Sequence, residues 1–480
     1  MSDEHAPGGV TRRDFAAMLA GSAFAAAGAR AAFARTADWP AGSELSRGAL
    51  PFARPHPTPS QLAWQRDEFA IFLHFGVNTF TDREWGDGKE DPVIFNLTAL
   101  DARQWARTAR EAGARSVILT AKHHDGFCLW PTKTTSHSVA SSPWRGGKGD
   151  VVREFVDAAR AEKLRVGLYC SPWDRNAAVY GDSPKYNDFY IAQLTELLTQ
   201  YGEIAEVWFD GANGEGPNGR KQLYDWPRIW GTVRRLQPSA VIFSDAGPDI
   251  RWIGNESGSA GDPNWSTVDP SIVTAPGVDG PEIIRSLQHG DREGTVWRPG
   301  ETDVSIRPGW FYHAADDAKV KSVDALVRIW FSSVGRNSKL LLNVPPNREG
   351  RLADVDVKRL LEFKEARDHL FAHELPRLGF GWKIGPGRRI EGMAALPQPT
   401  AIGVIRLSER IQEGQQVAKY RVEGDTGDGV WRLLTRGETI GYCKLDRVPP
   451  VGRVARLRIT VDEFAETIAS IGVRIFPADS

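Results

Sequence analysis

Cysteine is scarce in this chain of 480 residues, with three in all. Cys128, Cys170 and Cys443 make an odd number at no metal-ligand spacing, which argues for buried free thiols rather than a disulfide framework or a thiolate metal site. Net charge is missing too. Against 60 Lys and Arg stand 61 Asp and Glu, so no overall field draws in nucleic acid or an anionic membrane. Past the N-terminus no apolar run is long enough to span a bilayer, and there is no internal repeat. With 41% hydrophobic and 25% charged residues the composition is ordinary for a soluble globular protein, and the length favours two domains over one small core. Tryptophan is the abundant exception, at 17 residues. Most indoles serve a core, but a flat indole also makes a platform for the apolar face of a sugar.

The N-terminus reads as a targeting segment. Thr11-Arg12-Arg13-Asp14-Phe15 precedes a small-residue apolar run from Ala16 to Ala29, and Ala32-Phe33-Ala34 has the form of a cleavage site. Twin arginines before a weakly apolar stretch predict a Tat-type signal peptide over residues 1–34 and a periplasmic or secreted protein, with a linker over 35–59. A chance arginine pair before an alanine-rich helix is the bland alternative.

Between residues 60 and 375 short apolar runs alternate with amphipathic stretches. Strands are expected at 69–75, 116–121, 165–170, 204–209, 240–244 and 339–344. Helices are expected at 99–112, 151–163, 188–201, 221–236, 316–334 and 354–371. That βαβα alternation predicts an α/β fold, a (β/α)8-like TIM barrel, with a glycine- and proline-rich region from 249 to 308 whose strands are not assigned. After residue 375 short alternating runs at 416–422, 430–434, 439–445 and 453–461 predict a C-terminal antiparallel β-sandwich over 376–480. Packing against the barrel to shape its cleft is its expected role.

Barrel enzymes work at the carboxyl ends of their strands. Those positions hold His74, then Glu84 and Trp85, then His123, His124 and Asp125, then Tyr169, then Trp208 with Asp210, then Asp245; the loop beyond offers Arg251, Trp252 and Glu256. Adjacent histidines at a strand end point in different directions, so neutral imidazoles bonding a polyhydroxylated ligand suit them better than a metal. Hydrolysis of a glycosidic bond needs two carboxyl groups, one ionised to attack and one holding a proton for the departing oxygen. Asp210 at a strand tip suits the ionised role, and Glu256 on a long loop suits the proton donor. Asp245, Asp262, Glu282 and Glu301 compete for the second role, and spacing alone does not exclude them.

The runs Phe72-Leu73-His74-Phe75-Gly76, Glu84-Trp85, Ala121-Lys122-His123-His124-Asp125-Gly126-Phe127, Val166-Gly167-Leu168-Tyr169, Val207-Trp208-Phe209-Asp210-Gly211 and Leu341-Leu342-Asn343-Val344-Pro345-Pro346-Asn347 resemble glycoside hydrolase family 29, the α-L-fucosidases. The resemblance covers roughly residues 60 to 460. It implies a retaining mechanism with Asp210 as nucleophile, and a fucose held by His74, Glu84, Trp85, His123, His124, Tyr169 and Trp208. Residues 249–256, Asp-Ile-Arg-Trp-Ile-Gly-Asn-Glu, and 303–310 look like the subgroup selective for α-1,3/1,4-linked fucose, in which the glutamate falling here on Glu256 is the acid/base. Arg251 and Trp252 of that loop are expected to face the substrate. The resemblance implies an exo-acting hydrolase of fucosylated oligosaccharides or glycoconjugates with no metal or cofactor and no nucleic-acid or membrane partner; oligomeric state stays open. The rival readings are a non-catalytic carbohydrate-binding protein on the same scaffold and a metal-dependent hydrolase using His123 and His124.

Overall fold

The computed structural model describes residues 54–385, 389–465 and 471–478. The proposed signal segment, residues 1–34, and most of the linker lie outside them. Eight parallel strands close into a barrel: β1 (Phe69–Leu73), β2 (Ser116–Lys122), β3 (Arg165–Cys170), β4 (Glu206–Trp208), β5 (Val241–Ser244), β6 (Ile250–Trp252), β9 (Gly300–Ser305) and β10 (Ser338–Asn343). Most read as unbroken apolar runs because strand and helix layers cover both faces. In β1, Phe69, Ile71 and Leu73 pack outward against helices, whereas Ala70 and Phe72 point into the barrel with Tyr169, Trp208, Phe243 and Leu341.

After α1 (Pro59–Asp67) ahead of β1 and the short α2 (Val77–Thr81) behind it, helices α3 (Ala102–Glu111), α4 (Val151–Ala161), α5 (Ser183–Gln200), α6 (Trp226–Leu236), α8 (Val323–Ser332) and α9 (Asp354–Leu370) lie near their expected places. Asp101, Asp150 and Asp225 start three of them, each side chain accepting from the backbone N–H three residues on. The expected helix at 316–334 is two pieces, a 3₁₀ segment at Ala314–Lys319 and then α8, because Ser322 caps a fresh start. No helix joins β5 to β6; a short turn at 245–249 does, with Ser244 Oγ donating to Gly247 O at 2.5 Å. The unassigned 249–308 region supplies β6, the antiparallel pair β7 (Thr267–Val268) and β8 (Val296–Trp297), helix α7 (Pro281–His289) and β9.

The C-terminal part is an antiparallel sandwich of a five-stranded and a three-stranded sheet around Ile405, Leu407, Val422, Leu457 and Ile459. Some of its ties to the barrel domain reach the segment between β6 and β9, as where Asn264 N donates to Thr439 Oγ1 at 2.8 Å, and others sit at the amino ends of the strands. Tyr442 N donates to Asn337 Oδ1 at 2.7 Å, just before β10, and Arg406 pairs with Glu68, just before β1. These contacts brace the barrel floor, so the expectation that the sandwich shapes the cleft finds no support in them. Cys128, Cys170 and Cys443 are buried free thiols.

Below the mouth the barrel interior is charged. Lys339 Nζ is 2.9 Å from Glu206 Oε2 and 3.5 Å from Glu301 Oε2, and all three side chains are buried. Trp64 Nε1 also donates to Glu206 at 2.9 Å. Burial, with Glu206 beside it, pushes the Glu301 carboxyl well above its usual range. Burial opposes charge on Lys339, yet Glu206, Glu301 and Asp67 hold its amine above the ordinary value. A Lys339→Met substitution leaves two like carboxyls without their cation and should cost about 3–5 kcal/mol at neutral pH. A carboxyl raised in the folded state, as Glu301 is, binds its proton more tightly there than when unfolded, so that stability is lost as pH rises. Urea denaturation of the variant should therefore show recovery as pH falls from about 7 to about 5; a loss that does not depend on pH would contradict the charge argument.

Candidate active site

At the carboxyl ends of the strands a polar ring replaces the apolar barrel lining. His74 follows β1, and its Nδ1 lies 2.8 Å from Asn343 Oδ1 at the end of β10. Asn343 Nδ2 donates to Ser305 Oγ at 2.9 Å and to Trp310 O at 2.8 Å, so Oδ1 must accept and His74 Nδ1 carries the hydrogen. The same logic fixes His124. Ser171 Oγ donates to Trp173 O at 2.8 Å, so at 2.7 Å it accepts from His124 Nδ1. His124 Nε2 then faces Asp210 Oδ2 at 3.8 Å.

His123 packs tilted against His124 with ring centroids 4.1 Å apart but engages other groups: Asn78 Nδ2 at 3.5 Å and Asp125 Oδ2 at 3.9 Å. Burial, reinforced by Glu90 and Asp174, pushes the Asp125 carboxyl up to about 7. Among the described residues no three or more His, Cys, Asp or Glu are grouped as a metal ion would need.

Asp210 stands two residues past β4 and is 6% exposed. Its Oδ1 accepts Ala212 N at 2.6 Å, and Tyr169 OH donates to its Oδ2 at 3.4 Å. Donors on an ionised carboxylate favour that form. Gly211 has to be small, since a Cβ there would sit 2.2 Å from Asp245 Oδ2. Glu256 is half-buried on the loop after β6, and Trp310 Nε1 donates to its Oε2 at 3.3 Å. Gly254 and Gly258, at φ +80° and +78°, turn that loop on either side of it. The Trp310 ring also lies 4.9 Å from the His74 ring, which is 6.2 Å from Tyr169. The two carboxylates thus belong to one connected set of side chains around the same opening.

Trp208 closes the floor, stacked on Phe243 at 4.2 Å with its Nε1 donating to Glu301 Oε1 at 2.9 Å. Trp85 stands at the rim, 47% exposed, edge-on to His124 and Trp173 at 5.8 and 5.6 Å. Glu84 is held in place by Trp310 N at 2.7 Å, Phe311 N at 3.2 Å and His313 Nε2 at 2.7 Å. Trp252 points inward and donates to Asp303 Oδ1 at 2.8 Å.

Arg251 is not brought into this group. Strand alternation turns it outward, where its guanidinium donates to Leu287 O, Arg298 O and Asn264 Oδ1. Burial, with Arg298 nearby, lowers its pKa to about 9. Of the competing acids, Glu301 is sealed beneath Trp208, Asp262 pairs with Lys444 beside the sandwich at 2.7 Å, and Glu282 is exposed on α7. Asp245 stays close to the mouth, accepting Gly277 N at 3.0 Å.

Sequence reasoning missed Trp310, Phe311, His313, Asp303 and Asn343 as individual site residues. Asn343 ends a strand that was expected, and reading that end as the others were read would have found it. The remaining four follow or lie on β9, in the region where no strand was assigned.

The α-L-fucosidase family model matches residues 55–365. The chain is 44% identical over 446 residues to alpha-L-fucosidase 1 of Arabidopsis thaliana, covering 85% of this chain and 86% of that one. A glycoside hydrolase 29 family member from a rumen bacterium superposes with a TM-score of 0.81 at 40% identity, over 89% of this chain and 78% of that one. A Ruminococcus gnavus GH29 fucosidase solved in complex with fucose matches with a TM-score of 0.78 at 29% identity, over 91% and 98% of the two chains. This chain belongs to the α-L-fucosidases of glycoside hydrolase family 29.

Proposed function

We propose that the enzyme is a retaining exo-α-L-fucosidase acting on α-1,3/1,4-linked fucose, with Asp210 as nucleophile and Glu256 as acid/base. The observation that carries this reading is the pairing of two differently held carboxylates at one mouth. Asp210 is fixed by Ala212 N and Tyr169 OH at a strand tip, and Glu256 is half-buried on a glycine-flanked loop beside Trp310. In the proposed reaction Asp210 Oδ attacks the anomeric carbon as Glu256 delivers its proton to the leaving glycosidic oxygen. Glu256 then takes a proton from the water that releases fucose from the covalent fucosyl-enzyme.

Fucose carries a methyl where most hexoses carry a hydroxymethyl, so its site needs an apolar wall opposite hydrogen-bonding groups. Trp208, Tyr169, Phe311 and Trp310 are available for the wall, and His74, His123, His124 and Glu84 for the hydroxyls. With their Nδ1 hydrogens committed to Asn343 and Ser171, neutral His74 and His124 would present Nε2 as an acceptor. The linkage preference rests on the likeness of residues 249–256 and 303–310 to the α-1,3/1,4-selective subgroup. Export through the Tat route rests on Arg12-Arg13 and the apolar run after it.

Replacing Asp210 by Ala should lower kcat on an aryl α-L-fucoside by about 1,000-fold or more; near-wild-type turnover removes it as nucleophile. For Glu256→Ala, kcat/KM should fall much further on substrates with poor leaving groups than on activated aryl fucosides, since only the former need the proton. Equal losses would move the role to Asp245. A hydrolysis panel should favour Lewis-type trisaccharides over 2-linked fucosyllactose, and the reverse order would sink the linkage assignment.

A further inference from the structure

His313 stands outside the catalytic scheme, yet it occupies an unusual electrostatic position. It sits in the loop after β9, 17% exposed in its side chain, with Nδ1 2.8 Å from Asp82 Oδ1 and Nε2 2.7 Å from Glu84 Oε1. Ionised carboxylates accept hydrogen bonds and have none to give. A ring with a carboxylate oxygen against each nitrogen must therefore donate from both, which makes it an imidazolium.

The loop that carries it is fixed at its base as well. Buried Arg307 bonds Asp356 through Nε at 2.9 Å and Asp317 through Nη2 at 2.8 Å, and its Nη1 donates to His313 O at 3.2 Å. Between base and tip lie Trp310 and Phe311, whose N–H groups both donate to Glu84, and Gly309, where a Cβ would sit 2.1 Å from Glu84 Oε1. Arg348 also stands nearby, its Nη2 3.7 Å from Asp82 Oδ1, and Asp316 N donates to His313 O at 3.0 Å.

We propose that His313 is a positioning residue: as an imidazolium it clamps the Asp82–Glu84 segment to the Trp310 loop, holding Glu84 toward the sugar and the Trp310 indole against Glu256. The inference rests on the reading that Glu84 contacts fucose and Glu256 is the acid/base. A neutral ring can donate to one carboxylate only, and its other nitrogen then turns a lone pair on a carboxylate oxygen. The clamp opens from one side, Trp310 loses part of its anchorage, and fucose binding weakens.

Burial works against charge on this ring, but the bonds to Asp82 and Glu84 outweigh it and raise its pKa above the ordinary histidine value. A raised folded-state pKa means that the clamp is complete at low pH and is lost as pH rises through that value.

Two measurements test this. In NMR of 15N-histidine-labelled enzyme, the resonance missing from His313→Gln should report a doubly protonated ring that titrates above ~6.5, and Asp82→Asn should move that inflection down. A ring already neutral at pH about 6 overturns the proposal. In the second, L-fucose affinity of the Asp210→Ala protein should weaken about tenfold across the same inflection, matching the loss of one charge-assisted bond. With His313→Gln added, affinity should be weak throughout and show no such step. A wild-type-like fucose affinity in that double variant across the range overturns the positioning role. Both readouts avoid turnover, so a wrong nucleophile assignment would appear in the kinetics of Asp210→Ala and leave these results standing.

Discussion

A lysine shared by two buried carboxyls sets the terms for everything above it. Lys339, Glu206 and Glu301 fill the lower barrel where an apolar layer would otherwise pack, and taking them out of water is expensive unless each finds partners. The partners include two indoles, Trp64 from the helix preceding β1 and Trp208 from β4. Because Glu301 accepts from Trp208 Nε1, the charged layer orients the ring that closes the floor of the site. Burial, and then the neighbouring Glu206 carboxyl, push Glu301 well above the usual carboxylate range even with Lys339 beside it: two like charges that close, far from water, resist ionising together. The layer is thus a foundation for the mouth.

The mouth itself is built by fixing hydrogens rather than by gathering charge. Asn343 and Ser171 each have their own donors committed elsewhere, so each can only accept from the neighbouring imidazole, and the histidine tautomers follow. That device places a hydrogen on Nδ1 of both rings and fixes how each ring is turned. It also separates the site into parts with different demands. The nucleophile candidate sits on a strand end with short backbone support, where little can move. The proton-donor candidate sits on a loop whose indole partner belongs to a third segment, which is itself anchored at Glu84.

Much of this was legible in the sequence because the barrel strands advertise themselves. Buried parallel strands such as Phe69–Leu73 and Ser338–Asn343 read as apolar runs, and the polar residue just past each end identifies the mouth. His74, His123, His124, Tyr169, Trp208 and Asp210 were all reachable in that way. β9 was not, because Gly-Glu-Thr-Asp-Val-Ser places three polar side chains, Glu301, Asp303 and Ser305, on the inward face. A strand that lines a charged interior reverses the usual hydrophobic signal, so the strands between 249 and 308 were not assigned, and Trp310 and His313 just beyond β9 were not placed at a strand end. Arg251 failed for a related reason. On a three-residue strand its neighbours Ile250 and Trp252 take the inward positions, and alternation sends the arginine into the packing against the α7 segment.

The same irregular region carries the features that distinguish this barrel from a regular eightfold repeat. β5 and β6 are joined without a helix, and the long excursion from β6 to β9 holds Glu256, the β7–β8 pair and α7. Relieved of a helix after β5, the chain turns tightly at Asp245–Asp249, and Gly211 beside Asp210 can lie against Asp245. The excursion then reaches over the same side, where Gly277 N returns to Asp245. Strand ends on the opposite side, from β1, β2 and β3, bring the histidines and tyrosine. In the proposed reaction a sugar bound among the latter would direct its anomeric carbon toward Asp210 and its leaving group toward the excursion. On the proposed assignment of Asp210 and Glu256, discrimination among aglycones would fall to the part of the chain where the regular fold is interrupted and backbone geometry is least constrained by the barrel.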